Sequence, residues 1–191
     1  MNVARVLYPV QVLGPGDRVG IWLCGCTRKC KGCSNPELWE RRDEFEVAPE
    51  DVFLLIDNVH KTNKIDGFTI SGGEPMDQVA ELSTLIQMLR SVSDDILVYT
   101  GYKLDELWAR NDTSTDSVLN SIAVLVDGPY IEELNNDVLL RGSSNQTIHI
   151  LNDSYLKRYE DYMSCAHNQI QNFTAKDGIV SVGIHHRGFS R

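Results

Sequence analysis

An α/β fold is predicted by three features of the chain. Short apolar runs rich in β-branched residues recur along it. Between them lie stretches whose apolar residues fall at helical spacing. Clusters of Gly, Pro, Asn and Asp separate the two kinds of segment. Strand and helix therefore alternate, which argues for βαβ units and parallel strands. Periodicity alone does not separate a barrel-like arrangement from a doubly wound sheet.

The elements follow in order. Val3 to Leu13 reads as an N-terminal strand, ended by the turn Gly14-Pro15-Gly16-Asp17. Arg18 to Cys24 reads as a buried strand. Pro49 to Lys61 is a helix, with Val52, Phe53, Leu55, Ile56 and Val59 at helical spacing. Phe68 to Ile70 is a short strand running into Gly72-Gly73. Gln78 to Ser91 is an amphipathic helix with Val79, Leu82, Leu85, Ile86 and Leu89 on one face. Ile96 to Tyr99 is a strand, Leu104 to Arg110 a short helix, and Asn111 to Ser117 a polar loop. Ser121 to Val126 is a strand ending at Asp127-Gly128-Pro129. Thr147 to Leu151 and Ile179 to Ile184 are strand-like. The polar stretch between them, Tyr155 to Phe173, has helical character in places.

The chain is long enough, at 191 residues, for one domain with a sizeable core. A hydrophobic content of 42% fits an ordinary globular protein rather than a disordered one. A formal charge of −9 argues against nucleic acid or an anionic membrane surface as the main partner. No apolar run approaches the length of a membrane span, and the N-terminus lacks a signal-peptide pattern. Of five cysteines, four crowd between positions 24 and 33 and Cys165 stands apart. That is a poor disulfide framework and a good metal site, and it suits a reducing cytoplasm.

Cys26, Cys30 and Cys33 sit at C-x3-C-x2-C spacing in a loop after the second strand. Thiolates are soft ligands suited to iron–sulfur clusters. Three of them can hold three corners of a four-iron cluster and leave the fourth iron open to another ligand. Cys24 reads either as a fourth ligand or as a small buried residue closing the strand. With Cys24 as a fourth ligand, a zinc module is an alternative. Arg28, Lys29 and Lys31 favour thiolates, or merely keep the loop soluble. Ser34 to Trp39 reads as a capped helical turn with Pro36 first. Gly72 and Gly73 lack Cβ and so let backbone approach a ligand closely. His149, His167, His185 and His186 read either as a metal site or as ordinary surface and core histidines.

The cysteine loop resembles the cluster motif of radical S-adenosylmethionine (SAM) enzymes, and Ser71-Gly72-Gly73-Glu74-Pro75 looks like their GGEP segment. Val126 to Ile131 and Leu140 to Gln146 are similar to segments of one branch, the activases of anaerobic (class III) ribonucleotide reductase. Gly183 to Phe189 resembles that branch's closing segment. The resemblance runs from about Gly14 to Phe189. It implies a single radical SAM activase domain over residues 1–191, folded as a partial (β/α)6 barrel. It implies a 4Fe-4S cluster on Cys26, Cys30 and Cys33, and SAM chelating the open iron. Gly72, Gly73, Glu74 and Pro75 would hold the methionine end of SAM. Thr100, Asp127, Arg141, Ser144 and Asn145 would complete the cofactor contacts. Thr100 and Asp127 also read as a helix cap and a turn residue. On this pattern Gly73→Val spares iron and weakens SAM binding.

The activity implied is an oxidoreductase's. SAM is cleaved reductively to a 5′-deoxyadenosyl radical, which makes a glycyl radical on the large subunit of anaerobic ribonucleoside-triphosphate reductase. A one-electron donor such as flavodoxin or ferredoxin is implied too. The alternative is another small radical SAM enzyme, either the activase of a different glycyl radical enzyme or one similar to 7-carboxy-7-deazaguanine synthase. Two departures stand out. Gly32 replaces the aromatic common before the last cluster cysteine, which the reductase activases tolerate. Tyr99 stands where related activases place an Asp of a cation site.

Overall fold

The computed structural model describes residues 1–175 and 178–186. Six strands form one sheet in sequential order: β1 (Val3–Val10), β2 (Arg18–Leu23), β3 (Gly67–Gly72), β4 (Ile96–Tyr99), β5 (Val124–Asp127) and β6 (Thr147–Ile150). β2 to β5 are parallel, while β1 and β6 pair antiparallel at the two edges. The crossovers carry α1 (Pro49–His60), α2 (Val79–Leu89), and the pair α3 (Leu104–Trp108) and α4 (Thr113–Leu119). After β6 come α5 (Leu156–Cys165) and an antiparallel hairpin, β7 (Ile170–Ala175) and β8 (Gly178–Gly183).

Alternation along the strands builds two layers. On β2 all six residues are buried. Val19, Ile21 and Leu23 join Phe68, Ile70, Ile96, Val98 and Leu125 in the core under α1, α2 and α4. Trp22 and Cys24 turn to the other face, as a period of two requires. That face is covered by α5, through Tyr159, and by the hairpin, through Val180 and Val182. A doubly wound sheet reverses its strand order and spreads its crossover helices over both faces. Here the order is sequential and the crossover helices share one core, so the sheet is singly wound.

One expected element is corrected. Asn111 to Ser117 is not simply a loop, because most of it belongs to α4. The Asp112 carboxylate caps that helix by accepting from the Thr115 amide at 2.9 Å. Only Thr115, Val118 and Leu119 are buried, so the apolar signal is too sparse to read from sequence. The polar stretch from Tyr155 resolves into α5 and β7.

A charged network fixes the end of the sheet where β2 begins. Arg18 is fully buried, and its Nε donates to Thr69 Oγ1 at 2.8 Å. Its Nη2 lies 3.1 Å from Asp95 Oδ1. The Tyr159 hydroxyl donates to the same oxygen at 2.7 Å, and Arg158 Nε lies 3.1 Å from Asp95 Oδ2. Asp95 therefore joins β2 to α5. Removing one partner from such a buried pair typically costs about 3–5 kcal/mol. The opposite end, where β2 to β5 finish, is left to the loops.

Candidate functional site

The cysteine loop leaves β2 at Leu23 and is closed by its own backbone. The Gly25 amide donates to the Leu38 carbonyl at 2.9 Å and the Cys26 amide to the Trp39 carbonyl at 2.8 Å. Leu38 is buried as the anchor, within the expected turn at Pro36–Leu38. Asn35 stands at its cap position without a side-chain capping bond; its amide instead donates to Cys33 Sγ at 3.4 Å. At Gly32 φ is +70°, and an added Cβ would lie 2.8 Å from the Glu132 carboxyl. Backbone shape and a close neighbour thus explain the missing aromatic.

Cys26, Cys30 and Cys33 are each half-buried and line one cavity of about 180 Å³. Burial raises the Cys26 thiol pKa, opposed by hydrogen bonds from the Lys29 and Arg28 backbone. Cys24 is buried in the apolar cluster with Trp22 and Leu38 and does not itself line the cavity. Cys165 is exposed on α5. Among the described residues, no group of three or more His, Cys, Asp or Glu gathers tightly enough for one metal ion. Zinc would bring its sulfurs to roughly 3.8 Å of one another, from a bond length near 2.3 Å.

The basic residues of the loop are paired. Arg28 stacks 4.0 Å from the Tyr102 ring centre and reaches Glu106 at 3.4 Å. Lys29 pairs with Glu40, and Lys31 with Glu132 and Glu133. Their charge is shared with carboxylates rather than aimed only at the thiolates. Thr27 adds a neutral tie, its hydroxyl 3.0 Å from Asp77.

The Gly72–Pro75 turn is stitched to this loop. The Gly73 amide donates to Leu23 and the Glu74 amide to Gly25, each at 2.7 Å. A Cβ on Gly73 would lie 2.3 Å from the Gly25 carbonyl oxygen. The glycine is therefore required by the cysteine loop itself, not only by a ligand. Gly72, Gly73 and Glu74 line the cavity, whereas Pro75 is buried as the start of a 3-10 turn.

Glu74 is almost fully buried. Oε1 accepts from the Met76 amide at 3.0 Å and the Thr100 hydroxyl at 2.7 Å. Oε2 accepts from the Gly101 amide at 2.7 Å. Glu74 and Thr100 thus clasp the ends of β3 and β4 together at the cavity wall. Burial raises the Glu74 pKa above the ordinary carboxylate value, and the three donors oppose it. The folded state then holds this proton more tightly than the unfolded one. Its contribution to stability is full at low pH and is lost as pH rises from the ordinary carboxylate range through the raised value. Glu74→Gln turns an amide NH2 toward donors. It is expected to destabilise the neutral protein by about 1–3 kcal/mol and to flatten that pH dependence. Urea unfolding of the iron-free protein across pH measures both, and a variant as stable as wild type would refute the clasp.

The remaining expected contacts lie beside the cavity rather than in its lining. Asp127 turns away from the cavity: its Oδ2 accepts from the Leu104 amide at 2.7 Å, at the start of α3, and lies 3.0 Å from His149 Nε2. Arg141, Ser144 and Asn145 do not line the cavity either. Arg141 donates to the Gln146 carbonyl at 3.2 Å, and Asn145 to the Pro129 carbonyl at 2.8 Å. The Ser144 amide donates to Leu134 at 2.8 Å. The two segments clasp each other and present Gly128, Tyr130, Gly142 and Gln146 to the cavity instead. Gln146 does this while donating to the Gly128 carbonyl at 2.9 Å. His185 lines the cavity, and His186 lies 3.5 Å from Asp137. Residues 187–189 of the closing segment lie outside the described residues.

Three lining residues carry buried donor groups without a hydrogen-bond partner: Arg28 Nε, Trp39 Nε1 and the Tyr99 hydroxyl. Sequence reasoning gave neither Trp39 nor Tyr99 a ligand role. Trp39 reads as the end of the capped turn, and Tyr99 as a strand end in place of the activases' cation-site Asp. A cavity lined by three soft thiols suits an iron–sulfur cluster.

Residues 12–149 match the family model described as a 4Fe-4S single cluster domain, so the class is that of single-cluster iron–sulfur proteins. Relatives named anaerobic ribonucleoside-triphosphate reductase-activating protein narrow it further. The one from Escherichia coli (strain K12) is 38% identical over 153 residues, covering 75% of this chain and 96% of the relative. That of Vibrio cholerae is 38% identical over 150 residues, covering 74% and 94%. That of Enterobacteria phage T4 is 33% identical over 153 residues, covering 78% and 93%. The chain belongs to the family of anaerobic ribonucleoside-triphosphate reductase-activating proteins.

Proposed function

We propose that this chain activates an anaerobic ribonucleoside-triphosphate reductase as a radical SAM enzyme, by installing a glycyl radical on the reductase's large subunit. The observation that carries the reading is one cavity shared by Cys26, Cys30 and Cys33 and by the Gly72–Glu74 turn. Both sit where parallel strands end, β2 and β3, on loops joined by backbone hydrogen bonds. In α/β sheets that is the end where ligands gather. The sheet is read as the wall of a partial barrel around this cavity.

Cys26, Cys30 and Cys33 would hold the 4Fe-4S cluster, and no fourth cysteine lines the cavity among the described residues. When bound, the cluster and SAM supply a one-electron cleavage whose carbon radical can take hydrogen from a glycine. The protein's own part is placement. Gly72 and Gly73 bring backbone to the amino-acid end of SAM. Glu74, with lone-pair capacity left beside its three donors, would accept from the ammonium group. Arg28 and Trp39, which line the cavity, would donate to carboxylate, ribose or adenine acceptors. A flavodoxin or ferredoxin supplies the electron, in the cytoplasm, with no nucleic acid or membrane partner. No helix among the described residues is long and apolar enough to cross a membrane.

The test is anaerobic reconstitution with iron and sulfide, then SAM cleavage with and without the reductase. Slow cleavage alone, coupled to an EPR-detectable glycyl radical when reductase is added, is the expected result. Removing the reductase's glycine loop should abolish the radical and leave basal cleavage. Turnover of a small purine precursor, with no radical on the intact reductase, would overturn the reading.

A further inference from the structure

The matched family region ends at residue 149, and the E. coli relative covers 75% of this chain. α5, β7 and β8 lie beyond that region. They are not a loose tail. α5 is tied to the sheet by the hydrogen bond of Tyr159 and the ion pair of Arg158 to Asp95. The hairpin packs on Trp22, Leu13 and Val10 through Phe173, Val180, Val182 and Ile184. Residues 181–185 then line the same cavity as the three cysteines.

Alternation sorts these residues. Val180, Val182 and Ile184 face the apolar cluster, while the Ser181 hydroxyl turns to Asn172, donating at 2.7 Å. Val182 is buried, whereas Ile184 is only partly so. The segment is clamped at two points. Gln171 on β7 donates from Nε2 to the Pro9 carbonyl at 2.7 Å and accepts at Oε1 from the Gln11 amide at 3.0 Å. Asn135 donates from Nδ2 to the His185 carbonyl at 2.8 Å. A polar clamp on β7 and another just past β8 are what a fixed wall needs and a tail does not.

We infer that this C-terminal segment is a built-in wall of the ligand site, with Val182 and Ile184 supplying apolar surface for the nucleoside end of SAM. The inference rests on the reading that the cavity takes SAM. The charged end of that molecule is drawn to Glu74 and the cysteine loop. Its nucleoside has flat, weakly polar faces that gain by leaving water. The hairpin offers such a surface in the same lining as the three cysteines. Val182 and Ile184 are therefore specificity-determining residues that the matched family region does not contain.

The test uses the full chain, reconstituted anaerobically, in three forms: wild type, Ile184→Ala, and Asn135→Ala combined with Gln171→Ala. Iron per chain, melting temperature, and SAM affinity per iron-loaded chain by equilibrium dialysis are read on each. Both variants are expected to keep wild-type iron and to bind SAM roughly tenfold more weakly, the loss of about one aliphatic contact. A fall in melting temperature or iron with unchanged affinity per loaded chain would make the hairpin structural only and overturn the inference. Unchanged affinity in both variants, with tight wild-type binding, would likewise sink the inference while leaving the proposed activity intact. Iron-loaded wild type that fails to bind SAM would overturn the SAM reading, and the wall with it.

Discussion

Replacing Cys26, Cys30 or Cys33 with Ala, one at a time, is expected to remove the cluster's capacity to support SAM cleavage altogether. Each of these thiols lines the cavity, and Cys24 and Cys165 do not. A three-thiolate site has no spare ligand, so losing one strips an iron corner. Cys24→Ser and Cys165→Ser are expected to retain iron and cleavage. Cys24 is packed among apolar side chains, where a hydroxyl costs stability but not iron. Iron and sulfide analysis with the visible spectrum checks all five variants. An iron-free Cys24→Ser protein that still folds would move a ligand to that position.

The second large effect is expected for Gly73→Val, and it differs from the sequence expectation. There the variant spared iron and weakened only SAM binding. With an added Cβ 2.3 Å from the Gly25 carbonyl oxygen, the clash falls on the residue preceding Cys26. Two backbones must part, and the bonds from Gly73 and Glu74 to the cysteine loop go with them. Destabilisation of about 3 kcal/mol, at the upper end of overpacking, is expected. Iron content and SAM affinity should fall together. Reconstitution followed by iron assay decides it, since full iron with lost affinity would restore the simpler picture.

The fold was legible where apolar residues set a clear period. α1, α2 and the strands around them follow from sequence because their buried faces are long. α4 was not legible, since its cap and three buried residues outweigh a polar composition only in three dimensions. Strand order and the antiparallel edges depend on long-range pairing that no local window contains. For the site, cysteine spacing and the Gly-Gly-Glu-Pro turn carried the signal. Which member of a polar segment faces inward did not follow. Gln146 reaches the cavity, and Arg141, Ser144 and Asn145 brace the turn that puts it there. Glu74 and Thr100 were both expected at the site, but their bond to each other could be seen only once β3 and β4 were side by side.

The sequential strand order has a consequence for how the protein is made. Each strand from β2 to β6 pairs with the one before it, so the sheet can assemble as the chain emerges from the ribosome. The hairpin is different. Gln171 must find Pro9, 162 residues earlier in the chain. That contact closes a long loop, and such closures come late and slowly. The backbone of the cysteine loop, by contrast, is hydrogen-bonded to partners in the first half of the chain, Leu38, Trp39 and the Gly73–Glu74 turn. Its side chains Arg28 and Lys31 also reach Glu106, Glu132 and Glu133. The backbone of the cysteine loop can therefore take shape before the hairpin is synthesised.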